Sequence, residues 1–174
     1  GETDLAACPV REPIEQENEP MKTWSAAIQD GLRTGAAAAF SSLAALALLG
    51  RREQGSAAAP VNAVSHIVWG RRAFRRDRVD ARHTLSGLAL HVASGLFWGV
   101  LYEKLLGDRG SESLGSTVGK AALASGTIAT IDLGLVPQRL SPGFERRLSS
   151  AGTALAFAAL AVGFVVGTRS GGRR

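Results

Sequence analysis

Cysteine is nearly missing from this chain. Its 174 residues hold only Cys8, which excludes a disulfide scaffold and any metal site built on cysteine pairs. Aromatic residues are scarce at 6%, and lysine occurs only as Lys22, Lys104 and Lys120. There is no P-loop, no G-x-S-x-G elbow, no H-E-x-x-H helix and no Rossmann glycine fingerprint, so no motif assigns a catalytic or phosphate-binding chemistry. The net charge of +5, pI of 10.3 and mean hydropathy of +0.08 describe a basic soluble protein only on average. Charge is absent from long stretches and crowded into others. The 45% hydrophobic content excludes disorder of the whole chain, and the length suits one domain.

Residues 1–20 hold six acids (Glu2, Asp4, Glu12, Glu15, Glu17, Glu19) and one base, Arg11, together with Pro9, Pro13 and Pro20. Such a segment buries too little apolar surface to offset the entropy of ordering, and a disordered acidic tail is expected. The remainder carries a balance of +10, almost all of it arginine. Residues 21–169 are expected to form the folded domain, with 170–174 as a basic C-terminal tail.

Four apolar blocks follow. Thr34 to Gly50, Thr84 to Tyr102 and Ser150 to Thr168 contain no Asp, Glu, Lys or Arg, and Val118 to Pro137 contains only Lys120 and Asp132. A membrane-spanning helix needs about 20 mainly apolar residues. A soluble helix of that length would show a charged face at a 3.6-residue period, which the second and fourth blocks lack. The expected fold is all-α: an integral membrane four-helix bundle with spans at about 32–50, 84–103, 118–137 and 150–168. Gly31-x3-Gly35-x3-Ala39 and Gly163-x3-Gly167 have the small-residue spacing that lets helix backbones approach closely.

The first connection holds Arg51, Arg52, Arg71, Arg72, Arg75, Arg76, Arg78 and Arg82. The second holds only Lys104 and Arg109 beside Glu103, Asp108 and Glu112, and the third holds Arg139, Arg146 and Arg147. Positively charged loops stay in the cytoplasm. The first and third loops are therefore expected inside and both termini outside. This topogenic role, with contact to anionic headgroups, explains the arginine run without a nucleic-acid partner, since few aromatics and no nucleic-acid motif accompany it. Within the same loop, residues 58–70 are apolar but too short to span, and Pro60 suits a helix's first turn. A short interfacial or re-entrant helix is expected there. Trp69, Trp98 and Tyr102 are expected as interface anchors, with Glu103 and Lys104 at the external surface.

Ionisable groups inside such blocks are costly and raise a functional question. Thr84, Gly87, His91, Ser94, Gly95, Trp98 and Tyr102 fall within about 40° of one line at 100° per residue, so His91 is expected to face the bundle interior. Asp132 lies five residues before Pro137, on a face shared with Ala121, Ser125, Ile128, Ala129 and Val136. A carboxylate there is expected to pair with Arg139, a histidine or a loop arginine. Asn62 and His66, at i and i+4, share a face of the short helix, which brings them toward Asp132 if that helix re-enters the membrane. Asn62, His66, His91 and Asp132 thus form a candidate intramembrane polar cluster. No metal, cofactor or catalytic residue is expected.

Residues 52–70 (REQGSAAAPVNAVSHIVWG), 82–87 (RHTLSG), 91–103 (HVASGLFWGVLYE) and 131–145 (IDLGLVPQRLSPGFE) resemble a family of small uncharacterised bacterial four-helix integral membrane proteins. The resemblance covers about residues 21–167 and implies location and fold, with no activity to carry over. The expected function is a structural or accessory component of the bacterial inner membrane. Its partners would be the lipid bilayer and a second copy or another membrane protein. Two alternatives are an oligomeric proton- or ion-coupled transporter in which His91 and Asp132 titrate, and a membrane-embedded metal enzyme using His66, His91 and Asp132.

Overall fold

The computed structural model describes residues 21–107 and 113–171. The acidic tail with Cys8, the Asp108–Glu112 stretch of the second loop and the last three residues of the basic C-terminal tail lie outside the described residues. The chain is all-α, with no strand among the described residues. In order, it forms α1 (Trp24–Gln54), α2 (Ala58–Val64), α3 (His66–Trp69), a 3-10 turn (Gly70–Arg75), α4 (Ala81–Leu105), α5 (Leu114–Thr130), a π-helical turn (Ile131–Leu135), a second 3-10 turn (Phe144–Arg146) and α6 (Ser150–Gly171).

Local chemistry sets these boundaries. Thr23, Asp80 and Ser113 are extended N-caps whose side chains accept from the backbone amides of Ala26, His83 and Ser116. Helix α1 ends at Gly55, which adopts a left-handed φ of 68° that a side chain would disfavour. Helix α5 loosens into its π turn and stops at Val136, whose extended conformation is the one favoured before Pro137.

Helices α1, α4 and α6 are each long and apolar enough to cross a membrane. Helix α5 is shorter, at 17 residues, and reaches the length expected for the third block only with its π turn. Helix α1 is the centre of the assembly. It packs along both α4 and α6, α5 packs against α6, and α2 sits across α4 and α1. The spatial order is α4–α1–α6–α5, and α4 and α5 flank an open groove.

Glycine and alanine make the close contacts. A Cβ on Gly99 would fall on the Gly35 Cα, one on Gly35 would meet the Gly95 carbonyl oxygen at 2.5 Å, and one on Gly31 would strike the Val100 backbone. On an adjacent face of α1, Gly163 and Gly167 of α6 lie against Ala38 and Thr34. One helix therefore uses two small-residue faces, Gly31/Gly35/Ala39 toward α4 and Thr34/Ala38 toward α6.

Polar side chains share the interior with an apolar core that includes Leu46, Ile128, Phe144, Phe157, Leu160 and Phe164, and large apolar side chains also cover the outside. Thr34, Ser42, Asn62, Ser65, His66, Glu103, Thr117, Ser125 and Thr153 are buried, while Phe40, Leu48, Leu85, Phe97, Leu123, Leu155 and Val162 are each more than half exposed.

The short helix expected over residues 58–70 is divided and deeper than an interfacial helix. Every residue of α2 is buried, and the break falls at Ser65, whose hydroxyl donates to the Asn62 carbonyl at 2.7 Å. Gly87 lets α2 lie directly on α4, because a Cβ there would overlap the Val61 carbonyl oxygen.

Candidate functional site

The four positions of the expected polar cluster go to three different places. Asn62 is fully buried, and its amide nitrogen donates to the carbonyls of Arg76 and Arg78, both at 2.9 Å. Its carbonyl oxygen accepts from the Thr84 hydroxyl at 2.7 Å. A single buried amide thus fastens the arginine loop to α2 and to the start of α4. At that start the backbone amide of His83 donates to the Asp80 carboxylate at 2.7 Å, and this bond holds Asp80 below the ordinary carboxylate range. Asn62→Ala is expected to leave the Arg76 and Arg78 carbonyls and the proton of the Thr84 hydroxyl without their partner, at a cost of about 1–3 kcal/mol. The readout is limited trypsin digestion, in which cleavage at Arg76 and Arg78 accelerates; an unchanged rate would refute the anchoring role.

His66 turns the other way. Its Nδ1 lies 2.9 Å from the Ala63 carbonyl, its Nε2 lies 3.2 Å from the Gln138 carbonyl, and its ring packs on Phe74 with centroids 4.8 Å apart. The helix break at Ser65 is what separates it from the Asn62 face. The ring pins the 137–143 loop rather than addressing Asp132.

His91 and Asp132 do meet one space. A cavity of about 350 Å³ lies between α4 and α5, with α1 and α6 as its floor. His91, Ser94 and Trp98 line it from α4, Ser42 from α1 and Asp132 from the π turn, with Leu46, Leu90, Phe97, Phe144, Phe157 and Leu160 making most of the wall. The His91 Nε2 is 3.0 Å from the Ser42 hydroxyl and 3.2 Å from the Ala39 carbonyl, so α1 satisfies it. Asp132 is half-buried and has no hydrogen bond or ion pair among the described residues. The expected partners are engaged elsewhere. Arg146 bonds Gln138 Oε1 at 3.2 Å and covers the Phe74 ring, Arg147 bonds Asp77 Oδ1 at 2.5 Å and the Phe74 carbonyl, and Arg139 is exposed. The ion pair expected for Asp132 is therefore not formed, because its candidate partners are claimed by the loop or face outward. Among the described residues no three histidine, cysteine, aspartate or glutamate side chains are placed to hold a metal ion.

A second polar centre, at the opposite end of the helices, was not singled out from the sequence. Glu103, expected as a surface residue, is 1% exposed. Its Oε2 accepts from Lys22 Nζ at 2.6 Å and its Oε1 from the Thr34 hydroxyl at 2.6 Å, with the Thr168 hydroxyl at 3.5 Å. Lys22 also reaches Asp30 at 2.9 Å, and Asp30 pairs with Arg33 at 2.9 Å. The Lys104 ammonium donates to the Lys22 carbonyl at 2.6 Å and stands over the Trp24 ring. One carboxylate thus ties α1, α4, α6 and the segment before α1 together. Burial opposes the Lys22 charge, but the hydrogen bonds and negative charges of Glu103 and Asp30 outweigh it and hold the ammonium above its ordinary 10.5. The adjacent Tyr102, expected as an interface anchor, is 3% exposed and stacks on Phe164 at 4.7 Å, since its face of α4 is turned inward. Trp98 likewise lines the cavity, half-buried. Only Trp69 is partly open to the outside, its indole N–H donating to Ser86 at 2.9 Å and its face covered by Arg82 at 4.0 Å.

The arginines Arg51, Arg52, Arg71, Arg72, Arg75, Arg76, Arg78 and Arg82 are all exposed. They sit at the end of the bundle where α1 stops and α4 starts, the end that also carries Arg139, Arg146 and Arg147. No known protein family, curated protein or solved structure matches the chain.

Proposed function

We propose that the chain is a multi-pass protein of the bacterial inner membrane, crossing it with α1, α4, α6 and the α5–π segment, and serving as a structural or accessory component there. The observation that carries this reading is the apolar outer surface of three helices long enough to span: Phe40, Leu48, Leu85, Phe97, Leu155 and Val162 are each more than half exposed, while glycine and alanine make the close contacts between α1, α4 and α6. In water that surface would be an aggregation hazard far beyond the patch a soluble monomer tolerates, and in lipid it is the solvated one. The exposed arginines at one end support an orientation with that end in the cytoplasm and Trp69 at headgroup level. The basic end, facing anionic lipid, needs no nucleic acid. The outer face of α5 and the far side of α4 remain available to a second copy or another membrane protein.

Membrane fractionation tests this. The full chain is expected to stay in the pellet through high salt and alkaline carbonate and to be released by nonionic detergent. Extraction by carbonate alone would overturn the reading. In a Cys8→Ser background, Ser113→Cys is expected to react with a membrane-impermeant maleimide on intact cells, and Arg71→Cys only after permeabilisation.

A further inference from the structure

The groove between α4 and α5 combines an apolar wall with a carboxylate that no cation among the described residues neutralises. Its volume, about 350 Å³, is within the range of small-molecule sites, about 300–1,000 Å³. Asp132 stands at one end with no cation against it among the described residues, and the like charge of Glu145 acts on it across the loop. Glu145 is itself half-committed: its Oε1 accepts from Ser141 at 3.0 Å, and its buried Oε2 has no partner. The other titratable lining group, His91, is held by Ser42 and Ala39 of α1. A carboxylate in such surroundings is costly unless a positive charge meets it.

We propose that this groove is a binding site for an organic cation with an apolar body, its ammonium group held at Asp132 and its body lying against Leu90, Phe97, Trp98 and Phe157. Each class of ligand is tested by the lining. An anion would meet Asp132 and the field of Glu145. A neutral apolar molecule would fill the groove and leave the carboxylate unpaired. A bare inorganic cation demands several oxygen ligands at short range, and the lining offers one carboxylate, two serine hydroxyls and hydrocarbon. An alkylammonium needs only one carboxylate, gains from the faces of Trp98 and Phe97, and buries its hydrocarbon on the remaining wall. The groove lies between two helices with apolar outer faces, so, on the membrane reading above, the ligand enters sideways from the bilayer.

The test is isothermal titration of the purified full chain in nonionic detergent with 4-phenylbutyltrimethylammonium, using 4-phenylbutanol and sodium chloride as comparison ligands. Saturable one-to-one binding of the ammonium compound is expected. Asp132→Asn should weaken it roughly tenfold or more, the scale of a lost charge-assisted contact. Ser94→Phe, at an exposed position lining the groove, should block binding while leaving the melting temperature unchanged, and it answers the question even if Asp132→Asn does not fold. Equal binding of the alcohol, indifference to both variants, or an Asp132-dependent heat with sodium alone would each overturn the proposal. Failure here with a carbonate-resistant protein removes the ligand and leaves the membrane reading. Carbonate release with binding intact does the reverse.

Discussion

Gly99→Leu is expected to abolish the folded monomer. The first atom of any side chain at this position would clash with the Gly35 Cα, with the Gly31 carbonyl oxygen and the Gly35 nitrogen both at 2.5 Å. Flexible side chains can move aside, but these are backbone atoms in the middle of two long helices. Relief therefore requires α4 to withdraw from α1 along its length. Overpacking in well-filled cores costs about 1–3 kcal/mol and more where the backbone must shift, and the α1–α4 contact is the largest in the molecule. Loss here should exceed about 3 kcal/mol, read as loss of the cooperative melting transition in detergent. Gly126→Ala of α5 is the matched control. Nothing lies within 4 Å of the position its Cβ would take, so a small gain of up to about 1 kcal/mol from helix propensity is expected. If the two substitutions behave alike, close helix approach is not what holds α1 to α4.

Glu103→Gln should be the next most damaging change. It removes the negative charge from a buried centre while leaving the Lys22 ammonium in place, and breaking a buried ion pair in this way typically costs about 3–5 kcal/mol. The double variant Lys22→Met/Glu103→Leu should recover much of that loss, because burying neither charge avoids both desolvation costs. The centre also gives the protein an alkaline limit. Lys22 titrates above 10.5 in the folded state, so its stabilising contribution is complete below that pH and is lost as pH rises through the elevated folded value. Melting temperature measured from about pH 8 to 12 should fall along this limb in the native chain and lie flatter in Glu103→Gln. Parallel pH profiles would show that Glu103 is not the partner that matters to Lys22.

The two centres differ in how far the sequence announced them. His91 is legible because a lone histidine stands out among nineteen residues without Asp, Glu, Lys or Arg, and the helical period alone assigns it to the face with Gly87, Ser94 and Gly95. Glu103 is not, because it sits at the end of the same block next to Lys104, where a glutamate ordinarily reaches water. Its burial depends on Lys22, 81 residues earlier, and on Thr34 and Thr168 from two other helices. The glycine spacing on α1 and α6 is visible in the sequence, while its match in Gly95 and Gly99 of α4 emerges only where α1 lies against them. For Asn62 and His66, periodicity suggests one face, but the helix is interrupted at Ser65 and the two residues take different partners, Asn62 the arginine loop and His66 the loop at Gln138.

The sequence by itself determined the number of apolar blocks, the absence of any recognised catalytic motif and the clustering of arginine in the connection between the first two. These follow from composition and period, which are properties of neighbouring residues. Tertiary structure alone decided that α1 is central, that Asp132 opens into a groove where no described residue supplies a cation, and that Glu103 is the buried charge that ties the helices together. Each of those outcomes depends on which groups from distant segments come within about 3 Å of one another, and no local pattern encodes that distance.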